Sequence, residues 1–327
     1  MHALRAERPD ARLVVRTSAA RWLFDTTAPP DIDLQPVEVD TGLVQIDSLR
    51  LDEGATARAA ARFYADFDAR AIAEAEILRA QQVDLVVGDV PPLAFAAAER
   101  AGLPSVAVSN FTWDWIYSVY ETFPRTAPHA IPAIRRAYAT TTLALRLPMH
   151  GGFETMSTIR DVPLVARRSR RDPVDTRRAL GVDSSRPLVL VSFGGYGVTL
   201  PLDELRRSGD FTIVAPEREL PADVRYEDLV AAADVVVSKP GYGIVSECIA
   251  NQTALLYTSR GRFAEYDVFV AEMPKVLRCR FLPQDDLVSG RWRPAIDELL
   301  AQPAPPARPA ADGAAVVARA IIESVRR

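Results

Sequence analysis

A glycine-bracketed turn in the second half of the chain has the residue types of an anion-binding site. The segment 233–247 reads as an apolar strand, then Lys239-Pro240-Gly241-Tyr242-Gly243, then a helix. Unpaired N–H groups and the macrodipole at a helix start favour negative charge, and Lys239 adds a positive charge beside them. Lys239 and Lys275 are the only two lysines among 39 basic residues. The sequence therefore predicts that this turn binds an anion.

A second glycine-rich turn follows another apolar strand. Ser192-Phe193-Gly194-Gly195 comes directly after the run 188–191, and Gly197 lies close behind. Glycines permit positive φ angles and let a phosphate or sugar approach the backbone, although such turns also occur for geometry alone. The pattern matches neither G-x-G-x-x-G nor a P-loop, so it predicts neither a dinucleotide fingerprint nor a nucleotide-phosphate loop of that type.

Charged side chains stand at similar positions nearby. Arg260 follows the expected strand 253–258, Glu265 begins the next helix, and Glu247 lies one turn into the helix after Lys239. A carboxylate at such a place can accept hydrogen bonds from sugar hydroxyls; a solvated helix glutamate and a charge that satisfies the helix dipole are the ordinary alternatives. Together, these residues suit a phosphate-linked sugar better than a metal ion or a flat apolar ligand.

Short β-rich runs alternate with longer helical patterns, which is typical of βαβ units and parallel sheets. The patterns predict strands at 13–16, 35–39, 83–88, 105–108, 187–192, 210–215, 234–238 and 253–258. They predict helices over 55–82 (one long or two joined), 91–100, 227–233, 243–251 and 312–325.

The expected architecture is an α/β protein with two Rossmann-like parallel-sheet domains facing a cleft. We expect a first domain over 1–165, a second over 166–309, and a C-terminal helix over 310–327 that packs back toward the first. The charged, proline-bounded stretch 160–175 suits either an interdomain linker or a solvated loop. Ligands of open parallel sheets bind beyond the carboxyl ends of the strands, so the residues directly after each strand are the candidates.

Composition excludes several classes of function. The 43 acidic and 39 basic residues give a formal charge of −4, which argues against nucleic acid as a partner. Only two cysteines are present, so a disulfide framework and a zinc site of paired CxxC motifs are excluded, and no metal-ligand cluster is apparent. No apolar run approaches the roughly 20 residues that span a bilayer. Without a signal-peptide pattern at the N-terminus, a cytoplasmic location is expected.

These motifs resemble the donor-binding domain of GT-B glycosyltransferases. The resemblance is carried by Ser192 to Gly195, by Ala233 to Gly243 with Ser246-Glu247, and by Arg260 with Phe263-Ala264-Glu265. The chain is most similar to the branch that contains the GlcNAc transferase of peptidoglycan synthesis. Within that branch, it resembles the glycosyltransferase-like N-terminal region of L-arabinokinase and its bacterial stand-alone relatives. Residues 109–117 are similar to that group's segment after a central strand.

The resemblance implies a protein that binds a nucleoside-diphosphate sugar, UDP-linked, in the cleft and transfers the sugar to an acceptor without a cofactor. It places the phosphates on the helix start, the ribose hydroxyls on Glu247, the base near 224–226, and sugar hydroxyls on Glu265. Ile244 stands where the peptidoglycan enzyme has a threonine, so one hydroxyl donor near the phosphate is missing. The predicted donor-binding residues are Gly194, Gly195, Lys239, Gly241, Tyr242, Gly243, Glu247, Arg260 and Glu265.

The same resemblance assigns the acceptor side and the catalytic base to the first domain. Asp89 and Asp114 are the predicted catalytic residues, and Asn110 and Trp113 are predicted on the acceptor side, because all four follow expected strands. A helix-capping aspartate and buried aromatic packing are the structural alternatives for them.

Members of this group begin with a strand and a Gly-His-Gly-type loop, whereas this sequence begins within the helix that follows, at 4–13. We therefore expect the first domain to lack its N-terminal strand. On that ground, a catalytically silent nucleotide-sugar-binding or partner module is the alternative function. A sugar-nucleotide epimerase would need a histidine and acidic cluster that this sequence lacks, and a kinase would need a phosphate loop.

Overall fold

The chain forms two compact α/β units. The computed structural model describes residues 1–182, 185–194, 197–215, 220–221 and 223–325. Unit 1 comprises Met1–Val44, Asp52–Pro163 and Asp312–Arg327, and unit 2 comprises Gln45–Leu51 and Leu164–Ala311. The strands of both units pair in parallel, as the alternating pattern predicts.

Unit 1 contains two parallel sheets. Its strands are β1 (Val14–Thr17), β2 (Asp33–Pro36), β3 (Val86–Gly88), β4 (Ser105–Ser109), β5 (Leu143–Arg146) and β6 (Ile159–Asp161). Its helices are α1 (His2–Glu7), α2 (Arg21–Thr27), α3 (Glu53–Ala65), α4 (Phe67–Ala80), α5 (Pro92–Ala101), α6 (Trp113–Ser118), α7 (Phe123–Thr126), α8 (Ala130–Ala139) and α16 (Gly313–Val325). β1 pairs only with β2, and β3 to β6 form the second sheet in sequence order, so the described strands do not join into one sheet.

The described strands of unit 2 form a five-stranded sheet in the order β11, β10, β9, β7, β8. The strands are β7 (Leu188–Val191), β8 (Thr212–Val214), β9 (Val235–Ser238), β10 (Ala254–Tyr257) and β11 (Cys279–Phe281). The helices are α9 (Pro173–Ala179), α10 (Leu202–Ser208), α11 (Tyr226–Ala232), α12 (Tyr242–Asn251), α13 (Ala264–Val276), α14 (Gln284–Ser289) and α15 (Arg293–Leu300). Every residue of β7, β9 and β10 is buried, as expected for central parallel strands covered on both faces.

Most predicted elements form close to their expected positions, and the differences have local causes. The expected helix over 55–82 divides into α3 and α4 at Asp66, whose ψ of 24° departs from helical geometry. The strand expected from residue 83 begins only at Val86, because the Val83 amide instead donates to Leu78 O at 3.1 Å and closes the end of α4. Gly102 ends α5 in the left-handed conformation with φ of 72°, as its position predicts.

A short segment from the first half of the chain belongs to unit 2. Leu49 is 7% exposed and packs in the hydrophobic core with Trp292, which is fully buried. Ser48 Oγ donates to Phe193 O at 2.7 Å, so this segment contacts the turn that follows β7. The sequence did not predict this, because nothing in the local pattern of 45–51 marks a change of unit.

Candidate functional site

The start of α12 leaves donors without intrahelical partners at the carboxyl end of β9. The first N–H groups of a helix have no partner within it, and no side chain of the described residues caps this N-terminus. A Cβ built on Gly243 would meet no atom within 4 Å, so open space lies beside the helix start. We call Lys239 to Gly243 the α12 turn.

Two cations lie together at the α12 turn. Burial and the like charge of Arg260 lower the pKa of Lys239 to about 8, while Glu265 acts in the opposite direction. Arg260 Nη1 lies 3.8 Å from the position that a Cβ on Gly241 would take, and its guanidinium covers the Phe263 ring at 3.7 Å. The fold thus brings Lys239, Arg260 and Glu265 together from two strand ends and beside a helix start.

Glu247 is buried one turn further along α12 and is paired with Arg167. Arg167 Nε donates to Glu247 Oε1 at 2.6 Å, and its guanidinium lies over the Tyr226 ring at 5.0 Å. Burial raises the pKa of Glu247, while Arg167 opposes that shift and Glu227 adds to it. Arg167 comes from the stretch that the sequence analysis left open between linker and solvated loop; the structure gives it a defined partner in unit 2.

The segment around Arg167 lies along α12. Val165 N donates to Tyr242 Oη at 3.1 Å, and Asn251 Nδ2 donates to Arg167 O at 3.0 Å. The Tyr242 hydroxyl, which belongs to the predicted site, therefore contacts the backbone of this segment.

The turn after β7 contributes backbone and hydroxyl groups at the same sheet edge. Gly194 has φ of 76°, and a Cβ there would meet no atom within 4 Å. Ser192 Oγ and Tyr226 Oη are 2.6 Å apart. Gly195, the other predicted glycine of this turn, lies outside the described residues.

A cavity of about 370 Å³ opens elsewhere in unit 2, where α12 and α13 end. Its lining includes Arg168, Arg278 and Arg308. This cavity is lined by none of the residues of the α12 turn, so it is a separate feature of unit 2.

In unit 1, Asp89 lies directly before a strained residue. Val90 is fully buried with φ of 49°, a conformation that is costly for a β-branched side chain. Tyr138 Oη donates to Val90 O at 2.7 Å and holds this turn. Surrounding protein displaces hydration from the Asp89 carboxylate and raises its pKa, although a hydrogen bond with Ser109 acts against that shift.

The other predicted residues of unit 1 have packing partners. Trp113 stacks on Tyr117 with ring centroids 5.3 Å apart. Asn110 is buried and its Nδ2 contacts Met149 O at 3.4 Å. Asp114 is 3% exposed and accepts a hydrogen bond from Arg135 Nε at 3.2 Å, so its carboxylate faces α8. Their catalytic and acceptor roles stay predictions.

Asp40, which the sequence analysis did not select, lies in the loop after β2. Trp113 Nε1 donates to Asp40 Oδ2 at 3.3 Å. Burial, together with the negative charges of Asp89 and Glu38, raises the pKa of Asp40 to about 6. Only its place after a predicted strand could have marked it, because the loop carries no glycine motif.

The described residues contain no group of three His, Cys, Asp or Glu side chains placed to hold a metal ion. Within the same ranges, every helix is too short or too polar to span a bilayer.

Known proteins are similar to this chain in sequence and in fold. No protein-family model matches the chain. L-arabinokinase of Arabidopsis thaliana is 30% identical over 298 residues, which cover 86% of this chain and 29% of that protein. The chain therefore spans less than a third of that relative's length.

Solved structures match over nearly the whole chain. The glycotransferase of kitacinnamycin has a TM-score of 0.57 at 17% identity and covers 99% of this chain and 91% of its own. UGT89C1 of Arabidopsis thaliana, solved in complex with UDP, has a TM-score of 0.53 at 12% identity. The match covers 100% of this chain and 91% of that one.

The chain has the fold of the GT-B glycosyltransferases. Its sequence is similar to that of L-arabinokinase over most of the length of this chain. Both the fold class and the resemblance that the motifs indicated are confirmed.

Proposed function

We propose that the protein binds a nucleoside-diphosphate sugar, UDP-linked, at the α12 turn and transfers the sugar to an acceptor held by unit 1. The observation that carries the proposal is the pair of cations, Lys239 and Arg260, beside the open start of α12. The two like charges repel each other, and a diphosphate between them would replace that repulsion with two attractions.

Glu247 supplies the second part of the donor site. Its Oε1 is bonded by Arg167, while Oε2 has no hydrogen-bond partner among the described residues. A ribose diol can donate to that oxygen. Arg167 then fixes the carboxylate on α12, and its positive charge favours the ionised form, which accepts stronger hydrogen bonds from neutral hydroxyls.

The UDP complex of UGT89C1 supports the choice of nucleotide, because that protein shares this fold. During transfer, the bond from the sugar to the diphosphate breaks and negative charge grows on the leaving oxygen. In this proposal, the amides of the α12 turn and Lys239 stabilise that charge. Glu265 is proposed to contact the sugar, and Arg260 is proposed to contact the phosphates.

The proposal is tested by calorimetric titration of the chain with UDP, CDP, GDP and a panel of UDP-sugars. We expect saturable binding of UDP and of UDP-sugars in preference to CDP and GDP. We also expect the protein to release UDP from one of the UDP-sugars. Failure of UDP to bind with saturation would contradict the proposal.

Lys239 gives the affinity a predictable pH dependence. Its pKa is about 8 in the free protein, and a bound diphosphate will raise it. UDP affinity is therefore full below pH 8 and falls as the pH rises through 8, by about tenfold at pH 9 if the bound value exceeds 10. Replacing Lys239 by methionine should weaken binding at pH 7 by about tenfold or more and abolish this pH dependence.

Lys275→Met is the matched control, because Lys275 is the other lysine and pairs with Glu272 on the exposed surface of α13. We expect it to bind UDP like the unchanged protein at every pH. An equal loss of affinity in both variants would show that Lys239 acts only through net charge.

A further inference from the structure

The loop that carries Asp40 is fixed against α6. Besides the bond from Trp113 to Asp40, Thr41 Oγ1 lies 3.0 Å from Tyr117 Oη, and Tyr117 Oη donates to Gly42 O at 2.9 Å. Two aromatic side chains of one helix therefore hold the loop at Asp40 and at the two residues that follow it. Such a carboxylate has a defined position before any ligand arrives.

Asp40 and Asp89 follow different strands, and the charge of Asp89 acts on Asp40. Asp40 comes after β2 and Asp89 comes directly after β3, so each lies beyond the carboxyl end of a parallel strand. The charge of Asp89 is one of the causes that raise the pKa of Asp40. The turn that holds Asp89 is the strained one at Val90, and backbone strain of this kind is concentrated at functional sites.

We propose that Asp40 accepts the proton of the acceptor hydroxyl, while Asp89 binds the same acceptor through a hydrogen bond. This inference rests on the proposed function and goes beyond it, because it assigns the base to a residue that neither the motifs nor the resemblance selected. Asp114 suits that role less well, since Arg135 holds its Oδ2 and its buried Oδ1 has no partner among the described residues.

The charges around Asp40 favour a base of suitable strength. Burial and the acidic neighbours Asp89 and Glu38 raise its pKa, and the bonds from Trp113 and the Gly42 amide lower it, with about 6 as the result. Asp40 is then ionised at neutral pH and still more basic than an ordinary aspartate. The tyrosines that face it, Tyr64, Tyr117 and Tyr138, have pKa values raised by burial and are neutral there.

In the step itself, the acceptor oxygen forms a bond with the anomeric carbon of the sugar, and its proton passes to a carboxylate oxygen of Asp40. The bond from that carbon to the diphosphate breaks, and its electron pair leaves on the phosphate oxygen. Asp40 then releases the proton to water. With water as the acceptor, the same step is hydrolysis of the UDP-sugar.

The test is the pH profile of UDP release from the UDP-sugar panel in the full chain. Turnover should rise with pH and reach half its plateau near pH 6. Glu38→Gln removes a negative charge and should move that midpoint to lower pH, whereas Trp113→Phe removes a donor and should move it to higher pH. Asp40→Asn, which keeps an acceptor for Trp113, should lower turnover about 100-fold or more and leave UDP binding unchanged.

Glu121→Gln, at an exposed position of unit 1, is the matched charge control and should leave the profile unchanged. The proposed function would be contradicted if the unchanged protein did not bind UDP. If UDP binds, three results would each overturn the role of Asp40 alone. Asp40→Asn could retain turnover, or the unchanged protein could release no UDP between pH 5 and pH 9. The third is that the pH midpoints of Glu38→Gln and Trp113→Phe do not move in opposite directions.

Discussion

Glu247→Ala is expected to weaken UDP binding by about 100-fold. A carboxylate that accepts hydrogen bonds from two ribose hydroxyls contributes about 3 kcal/mol, because each bond to a charged acceptor is worth about 1.5–3 kcal/mol and the two are not independent. The Glu247 side chain is only 7% exposed, so water cannot replace it well as an acceptor. The variant also leaves Arg167 without this partner, which adds to the loss by removing the order of the segment it belongs to.

Glu227→Ala is the matched control for this prediction. Glu227 Oε2 lies 3.9 Å from Arg167 Nη1, so this variant also removes a carboxylate near Arg167 without touching the proposed ribose site. We expect its UDP affinity to stay within about twofold of the unchanged protein. Calorimetric titration at pH 7 measures both variants, and their melting temperatures check that each is folded. Equal affinities of Glu247→Ala and the unchanged protein would refute the ribose assignment.

The α12 turn was accessible to sequence analysis for a physical reason. Lys239 and Arg260 each follow a buried apolar strand closely, and parallel strands end at one edge of their sheet, so local pattern predicts that such residues converge. Glu247 is placed by the helical repeat alone. The partner of Glu247 could not be found in that way, because Arg167 is 80 residues distant and its pairing depends on how the chain re-enters unit 2.

In unit 1, the position of a residue after a strand did not predict the direction of its side chain. Asp114 was selected because it follows β4, but α6 turns its carboxylate toward α8, where Arg135 binds it. Asp40 lies in a loop with no glycine motif, and it differs from a solvated aspartate through its burial and its tertiary contact with Trp113. Likewise, Ser48 and Leu49 join unit 2 through long-range contacts that no periodicity encodes. Proximity to a strand end thus predicts location, while side-chain direction depends on packing.

Gly152→Ala is expected to destabilise unit 1 by about 2 to 5 kcal/mol. Gly152 has φ of 85°, a region that costs a residue with a Cβ about 1–2 kcal/mol. A Cβ there would also lie 2.1 Å from Thr112 Oγ1 and 2.9 Å from Trp115 Cβ, and relieving such an overlap in a buried site costs about 1–3 kcal/mol more. Thr112 is fully buried, so it cannot move away without moving the start of α6.

Gly102→Ala separates the two causes. Gly102 has φ of 72°, but a Cβ there would meet no atom within 4 Å, so this variant bears the conformational cost without the overlap. We expect it to lose about 1–2 kcal/mol. Urea-induced unfolding followed by tryptophan fluorescence compares the two variants, and equal losses would contradict the close packing of Gly152 on Thr112. Thr112 precedes Trp113, which holds Asp40. The folded fraction of Gly152→Ala should therefore also show a displaced pH midpoint of UDP release. Gly102→Ala should show the midpoint of the unchanged protein.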